Sequence, residues 1–221
     1  AVLFQNQRDF NYLEWRHLWE DARVDDSGVH IAGMTYSAVI LDQLAEIPPE
    51  ALSALRTLAT AGRLVSFRTP ISGIAGVVAA TDDATLVSVL NRLAPPDIVL
   101  TPATTSIRVR HVIKSDRHII LLFNEGGESV TTSITPVLKG ASEWWDAETA
   151  TVAPADLAVP LTFKPHEMKV LSLTIMKSAT QAEAASGFQF EGRMSKEVLR
   201  SFASRAITHQ GLCVVGTSPD P

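Results

Sequence analysis

The sequence predicts two units of different class: a layered, mostly parallel α/β unit, then an antiparallel β-sandwich. Three observations carry this. In the first 96 residues, short apolar runs alternate with stretches of helical period. From residue 107 to 175, period-two alternation recurs with no useful helix-period stretch between. Pro95, Pro96 and Pro102 crowd the stretch between them and place a boundary near 95–104. The expected division is 1–96, 97–177 and a C-terminal extension, 178–221, carrying one helix.

In the first unit, residues 1–4 form a short apolar run that reads as a first strand. Tyr12, Trp15 and Trp19 share one face at helical spacing. Asp25-Asp26-Ser27-Gly28 reads as a turn. Residues 29–31 are a short strand candidate, and Ala38-Val39-Ile40-Leu41 is a stronger one. Pro48-Pro49 opens a helix, because the first turn has no use for those N–H groups. Ala51, Leu55, Leu58 and Ala59 give that helix an apolar face, and Gly62 fits its C-cap. Leu64-Val65-Ser66-Phe67 reads as a buried strand. Thr81 is the expected N-cap of the next helix, with Asp82 and Asp83 in its positive first turn. Leu86, Val89, Leu90 and Leu93 form its buried stripe, and Pro95-Pro96 stops it.

In the second unit, Ile107, Val109 and His111 alternate with Arg108 and Arg110. Residues 119–123 are continuously apolar and end at Asn124-Glu125-Gly126-Gly127. Val130, Thr132 and Ile134 alternate again, as do Leu157, Val159, Leu161 and Phe163. Pro165-His166-Glu167 reads as a turn before Leu171, Leu173 and Ile175. In the extension, Val198, Leu199, Phe202, Ala203 and Ala206 share a helical face, and residues 212–215 suit an edge strand.

Composition narrows the classes of function. Apolar residues make up 46 % and charged residues 19 % of the 221, which supports a packed core. No apolar run is long enough to span a membrane as a helix. The net charge of −5 provides no broad basic field for nucleic acid, so neither a membrane nor nucleic acid is an expected partner. Cys213 is the single cysteine, which excludes an internal disulfide and a thiolate metal cluster. The chain opens on Ala1 without a Met or a basic segment ahead of an apolar one. A processed product, an excised domain or a trimmed chain is the expectation.

Candidate chemistry is sparse. His17, His30, His111, His118, His166 and His209 form no linear ligand array, although a hairpin would bring His111 near His118. No metal or other cofactor is expected from these residues. The segment 69–76 contains glycines but lacks the spacing of a phosphate loop. Trp144-Trp145 is the strongest ligand feature. Sugar rings present C–H faces that stack on aromatic planes, and Glu143 and Asp146 supply acceptors. Adjacent strand residues point to opposite faces, so packing competes for at least one of the two tryptophans.

Two groups of motifs carry a resemblance. Gly33-Met34-Thr35-Tyr36-Ser37-Ala38-Val39-Ile40-Leu41 is followed by Ile47-Pro48 and Gly62-Arg63-Leu64-Val65. This resembles the segment in which large bacterial glycoside hydrolases, rhamnosidase-like or β-galactosidase-like, carry an amidotransferase-like, flavodoxin-like α/β domain. Arg117-His118-Ile119-Ile120-Leu121-Leu122-Phe123-Asn124-Glu125, Trp145-Asp146-Ala147-Glu148-Thr149 and Leu161-Thr162-Phe163-Lys164-Pro165-His166-Glu167 resemble the sandwich that follows it. The resemblance covers the first 176 residues. It implies an active site in a separate barrel N-terminal to this chain, and no catalytic residue is carried over.

The residues agree with that implication. Glycoside hydrolysis needs two facing carboxylates, and the spacing of Glu14, Glu20 and Asp21 shows no cleft between them. Glutamine hydrolysis needs a nucleophile beside a base, and the first 96 residues contain no cysteine and no Gly-x-Ser-x-Gly elbow. The expected role is a non-catalytic accessory region that supports domain assembly or the substrate cleft. Its partners would be the catalytic domain of the same parent or another subunit, an oligosaccharide, or a second copy in a homo-oligomer. The alternatives are a carbohydrate-binding module and a protein-interaction fragment without sugar affinity.

Overall fold

The computed structural model describes residues 2–42, 46–114, 117–175 and 210–216. The first unit runs through helix α1 (Val2–Gln5), strand β1 (Phe10–Tyr12), helix α2 (His17–Glu20) and strands β2 (Arg23–Asp25), β3 (Gly28–Ile31) and β4 (Met34–Asp42). Helix α3 (Leu52–Thr60), strands β5 (Leu64–Phe67) and β6 (Val78–Ala80), and helix α4 (Asp83–Leu93) complete its continuous part. The second unit holds strands β7 (Ile98–Thr101), β8 (Ile107–Lys114), β9 (Arg117–Asn124) and β10 (Val130–Pro136). It continues with β11 (Ala141–Asp146), β12 (Thr151–Pro154), β13 (Leu161–Phe163) and β14 (Met168–Thr174). Strand β15 (Gln210–Gly216) belongs to the first unit. The chain is β-rich, and no helix among the described residues is long and apolar enough to cross a membrane.

The first unit is organised by β4. Residues 38–41 are all at most 1 % exposed, so neither face of the strand is left to water. Val39 and Leu41 pack with Leu55, Leu58 and Ala59 of α3. Ala38 and Ile40 pack with Leu86, Val89 and Leu90 of α4 and with Leu3 of α1. Helices therefore cover both faces of the sheet, as continuous apolar strands require. Strands β15 and β5 flank β4 in parallel, and β1 and β6 extend the sheet outwards in parallel. The antiparallel β2–β3 hairpin pairs with the first residues of β4, on the side that β5 takes over further along. Arg63 secures that handover by donating from Nη1 to Ser37 O at 2.8 Å and from Nε to Asp26 O. Gly28 makes the hairpin possible: at φ +137°, a Cβ there would lie 2.0 Å from Tyr36 O.

Several local expectations give way to tertiary contacts. Residues 2–5 form a helical turn, not a strand; it seats Leu3 against α4, and the Asn6 amide donates to Val2 O at 2.9 Å. The helix expected through Tyr12, Trp15 and Trp19 is broken up. Tyr12 ends β1, whose backbone pairs with β15, and only His17–Glu20 is helical. The N-cap of α4 is Asp82, not Thr81; its carboxylate accepts from Thr85 N at 2.8 Å. Residues 212–215 form an interior strand between β1 and β4, not an edge. The helix expected at 194–208 lies outside the described residues. Strands β2, β6, β7 and β12 are additional to the expected elements.

The second unit is two antiparallel sheets, ordered β13-β10-β7 and β12-β11-β14-β9-β8. Ile98, Leu100, Ile134 and Phe163 from the smaller sheet meet Ile107, Val109, Ile120, Leu122, Leu171 and Leu173 from the larger. This is the two-sheet core that period-two alternation implies. Only residues 161–163 of the expected 157–163 strand are extended, because Asp156 accepts from Ala158 N at 3.0 Å and turns the chain. Asn124, fully buried at the end of β9, donates to Glu128 O at 2.8 Å and Lys164 O at 2.9 Å. It also accepts from Gly126 N at 3.1 Å, so one side chain joins two turns. Replacing it strands buried backbone groups. Asn124→Ala is expected to cost about 1–3 kcal/mol in urea unfolding of the whole chain, and an unchanged midpoint would contradict this role.

Candidate functional site

Strand β11 separates its two tryptophans by the alternation of its backbone. Trp144 turns inwards and packs on the sandwich core. Trp145 lies on the opposite face, where its Nε1 donates to Glu143 Oε2 at 3.2 Å and the Arg117 guanidinium stands 5.6 Å from its ring. Arg117 also donates to Glu143 Oε2 at 3.1 Å and to Ser172 Oγ at 3.3 Å. Glu143 is thus engaged by a guanidinium and an indole. Asp146 Oδ1 accepts from Glu148 N at 2.8 Å and Thr149 N at 3.0 Å, tying the β11–β12 turn. Those amide bonds hold its carboxyl below the usual carboxylate range.

Trp144, Trp145 and Asp146 nevertheless border one groove of about 660 Å³, with Glu148, Lys164 and Glu167 among its other lining residues. Glu143 does not line it. The far wall is the turn at 164–167, where His166 takes a positive φ of 58°. Glu167 builds that turn. Its Oε2 accepts from Lys164 N at 2.7 Å, and its Oε1 accepts from Lys169 Nζ at 2.7 Å. Burial pushes the Glu167 carboxyl up, but the Lys169 ammonium and the Lys164 amide outweigh it, and the group sits lower than usual. The sequence carries this wall only as a turn signal; nothing in the spacing of Lys164 and Glu167 announces that they face Trp144.

The other sequence candidates resolve into local structure. Glu14 pairs with Arg16 at 2.9 Å, and Asp21 pairs with His17 at 2.5 Å. Ser27, His30 and Asp25 cluster on the β2–β3 hairpin without forming a nucleophilic triad. Ser27 Oγ donates to Asp25 Oδ1 at 2.6 Å, and the same ring nitrogen of His30 faces both Ser27 and Asp25. A triad needs the carboxylate on the other nitrogen, where His30 Nδ1 instead meets Thr35 Oγ1 at 3.1 Å. The Ser27 hydroxyl and His30, followed by the Ser27 amide, hold Asp25 well below the carboxylate range. Cys213 lies within β15, in register with Asn11 and Val39, so it belongs to the first sheet and sits inside a strand, not at a strand-to-helix turn. Among the described residues, no group of three or more His, Cys, Asp or Glu is placed to hold a metal ion.

The β8–β9 hairpin does bring His111 and His118 together. His111 Nδ1 lies 3.0 Å from Asp97 Oδ2, and its Nε2 lies 2.9 Å from His118 Nδ1. With the Asp97 carboxylate accepting a hydrogen bond from His111 Nδ1–H, Nε2 of a neutral His111 is left to accept from His118 Nδ1. Burial, then the neighbouring His111, lower the His118 pKa, while Asp97 acts in the opposite direction.

No protein-family model matches the sequence, and no curated protein matches it. Solved structures do. A rhamnosidase from Novosphingobium sp. PP1Y aligns with 82 % of this chain and 21 % of its own, at 17 % identity and a TM-score of 0.54. The apo exo-carrageenase GH42 from Bacteroides ovatus aligns with 62 % of this chain and 22 % of its own, at 10 % identity and a TM-score of 0.41. A β-galactosidase from Bacillus circulans sp. alkalophilus aligns with 42 % of this chain and 12 % of its own, at 17 % identity and a TM-score of 0.30. The fold is similar to part of a glycoside hydrolase, and the chain spans about a fifth of the rhamnosidase's length.

The histidine pair has a measurable consequence. Because the folded state holds His118 below the ordinary value, the unfolded chain takes up the proton first as pH falls. The stabilisation is complete above about pH 6.5 and is lost as pH drops through the folded value. The urea midpoint is expected to fall between about pH 7 and about pH 5, and less so in His118→Gln. Equal pH dependence in the two proteins would remove His118 as the cause.

Proposed function

We propose that this chain is a non-catalytic accessory region of a glycoside hydrolase, an amidotransferase-like α/β unit with a β-sandwich, that supports domain assembly or one edge of the substrate cleft. The observation that carries this reading is the fold likeness to a rhamnosidase over 82 % of the chain, at a TM-score of 0.54. The local chemistry supports it. Glu14, Asp21 and Asp25 are engaged by neighbouring side chains, and Asp146 by turn amides, which is structural use rather than the facing of two carboxylates across a cleft. The amidotransferase-like part of the reading rests on parallel strands with helices on both faces and carries no glutamine hydrolysis with it. The natural partner is a catalytic domain of the same parent or another subunit, and a second copy of the chain is a further candidate.

A carbohydrate-binding role is the second reading, favoured by the groove beside Trp144. A protein-interaction fragment without sugar affinity is what remains if that groove is idle.

The test is complementation. A catalytic region of the parent, expressed without this segment, is expected to melt several degrees lower (about 2–8 °C for each kcal/mol lost). It is expected to recover when the purified chain is added. The chain alone is expected to leave p-nitrophenyl rhamnoside and galactoside intact. A catalytic region equally stable without the segment, or turnover by the chain itself, overturns the proposal.

A further inference from the structure

We infer that the groove between the β11–β12 hairpin and the turn at 164–167 is an oligosaccharide subsite, with Trp144 as its platform and Lys164 and Glu148 as its polar rim. This deepens the accessory reading and rests on it, because a sugar site here serves a glycoside-hydrolysing parent. The volume of about 660 Å³ falls in the usual range for ligand pockets, roughly 300–1,000 Å³.

Trp144 is suited to the task by the way it is held. Core packing fixes the indole before any ligand arrives, so little side-chain entropy is lost on binding. Among the described residues its Nε1–H has no hydrogen-bond partner, whereas that of Trp145 is taken by Glu143. A pyranose can lay a C–H face on the exposed part of the indole and accept a hydrogen bond from that N–H.

The opposite wall is equally fixed. Lys164 O accepts from the buried Asn124 amide, and Lys164 N is held by Glu167, so the backbone carrying the lysine is anchored at both polar groups. The Lys164 ammonium acts on Glu167 at longer range and makes no direct salt bridge among the described residues. Glu148 is exposed across the groove, and its carboxylate is likewise unengaged among them.

Charge selects the ligand class. Glu167 pairs with Lys169 and also feels the Lys164 charge, and Asp146 is committed to its turn, so the rim offers Lys164 as its donor and Glu148 as its acceptor with no excess of positive charge. A phosphate or polyanion would meet no surplus of positive charge. An uncharged polyol meets a flat apolar plate flanked by one donor and one acceptor.

The experiment is affinity electrophoresis and calorimetry on the whole chain, with three uncharged polysaccharides as probes: a neutral rhamnan, β-1,4-galactan and dextran. At least one of them is expected to retard the protein. The Lys164→Ala and Glu148→Ala substitutions, both on exposed side chains, are each expected to weaken that retention about threefold to tenfold. Trp144→Phe keeps a ring on the core but removes the N–H, and it is expected to weaken retention by a similar factor, with circular dichroism confirming its fold. Tyr12→Ser, on the exposed end of β1, is expected to change nothing. No retention on any of the three polysaccharides, or retention unaffected by the groove substitutions, overturns the subsite. Restored stability in the complementation test together with no retention here would sink the subsite alone and leave the assembly role standing.

Discussion

Strand β4 has no side it can show to water. Four consecutive residues, Ala38, Val39, Ile40 and Leu41, are shut away, and their side chains point alternately to opposite faces. A single helix could satisfy only half of them. The layered form of the first unit follows from that demand: α3 answers one face, and α1 and α4 answer the other. The neighbouring β5, buried along all four of its residues, repeats the requirement and fixes where the helices between strands must lie. The β2–β3 hairpin enters only where β4 is less apolar, around Thr35, which is why the sheet can change from antiparallel to parallel partners along one side of a single strand.

The second unit obeys the opposite rule. Its strands are apolar on one face, so two sheets suffice and no helix is needed. That economy leaves the hairpin turns at the ends of the sandwich free of packing duty. Polar side chains there take up backbone work instead: Asp146 closes one turn, Glu167 another, and Asn124 closes a third at 124–128 while also reaching the turn of Glu167. The groove beside Trp144 arises between turns made rigid in this way. Its character is inherited from the alternation of β11, which commits one indole to the interior and the other to an ion-paired outer face.

Sequence reading succeeded where burial is one-dimensional. The continuous apolar runs at 38–41, 64–67 and 119–123, the helical stripes of α3 and α4 and the alternation of β8 and β10 are all visible locally, and all form the elements expected of them. It failed where a partner distant in sequence decides. Tyr12 has helical spacing with Trp15 and Trp19, yet its backbone is claimed by β15, some two hundred residues later. Residues 1–4 look extended until Leu3 finds α4. Of the four residues that the sequence singles out as ligand candidates, Trp144, Trp145 and Asp146 border one groove, while the Glu143 carboxylate is paired with Arg117. Lys164 and Glu148 escaped notice because the groove is made by strand order, which places β14 beside β11, and order leaves no trace in local spacing.

The place of β15 reaches into the way the protein is made. It lies between β1 and β4, so the central sheet is completed by backbone that leaves the ribosome after the sandwich. The later unit can therefore close while the earlier one still waits with a vacant slot beside β4. During that interval two parallel edges of unpaired amides and carbonyls stand open, a period in which strand exchange between nascent chains competes with completion.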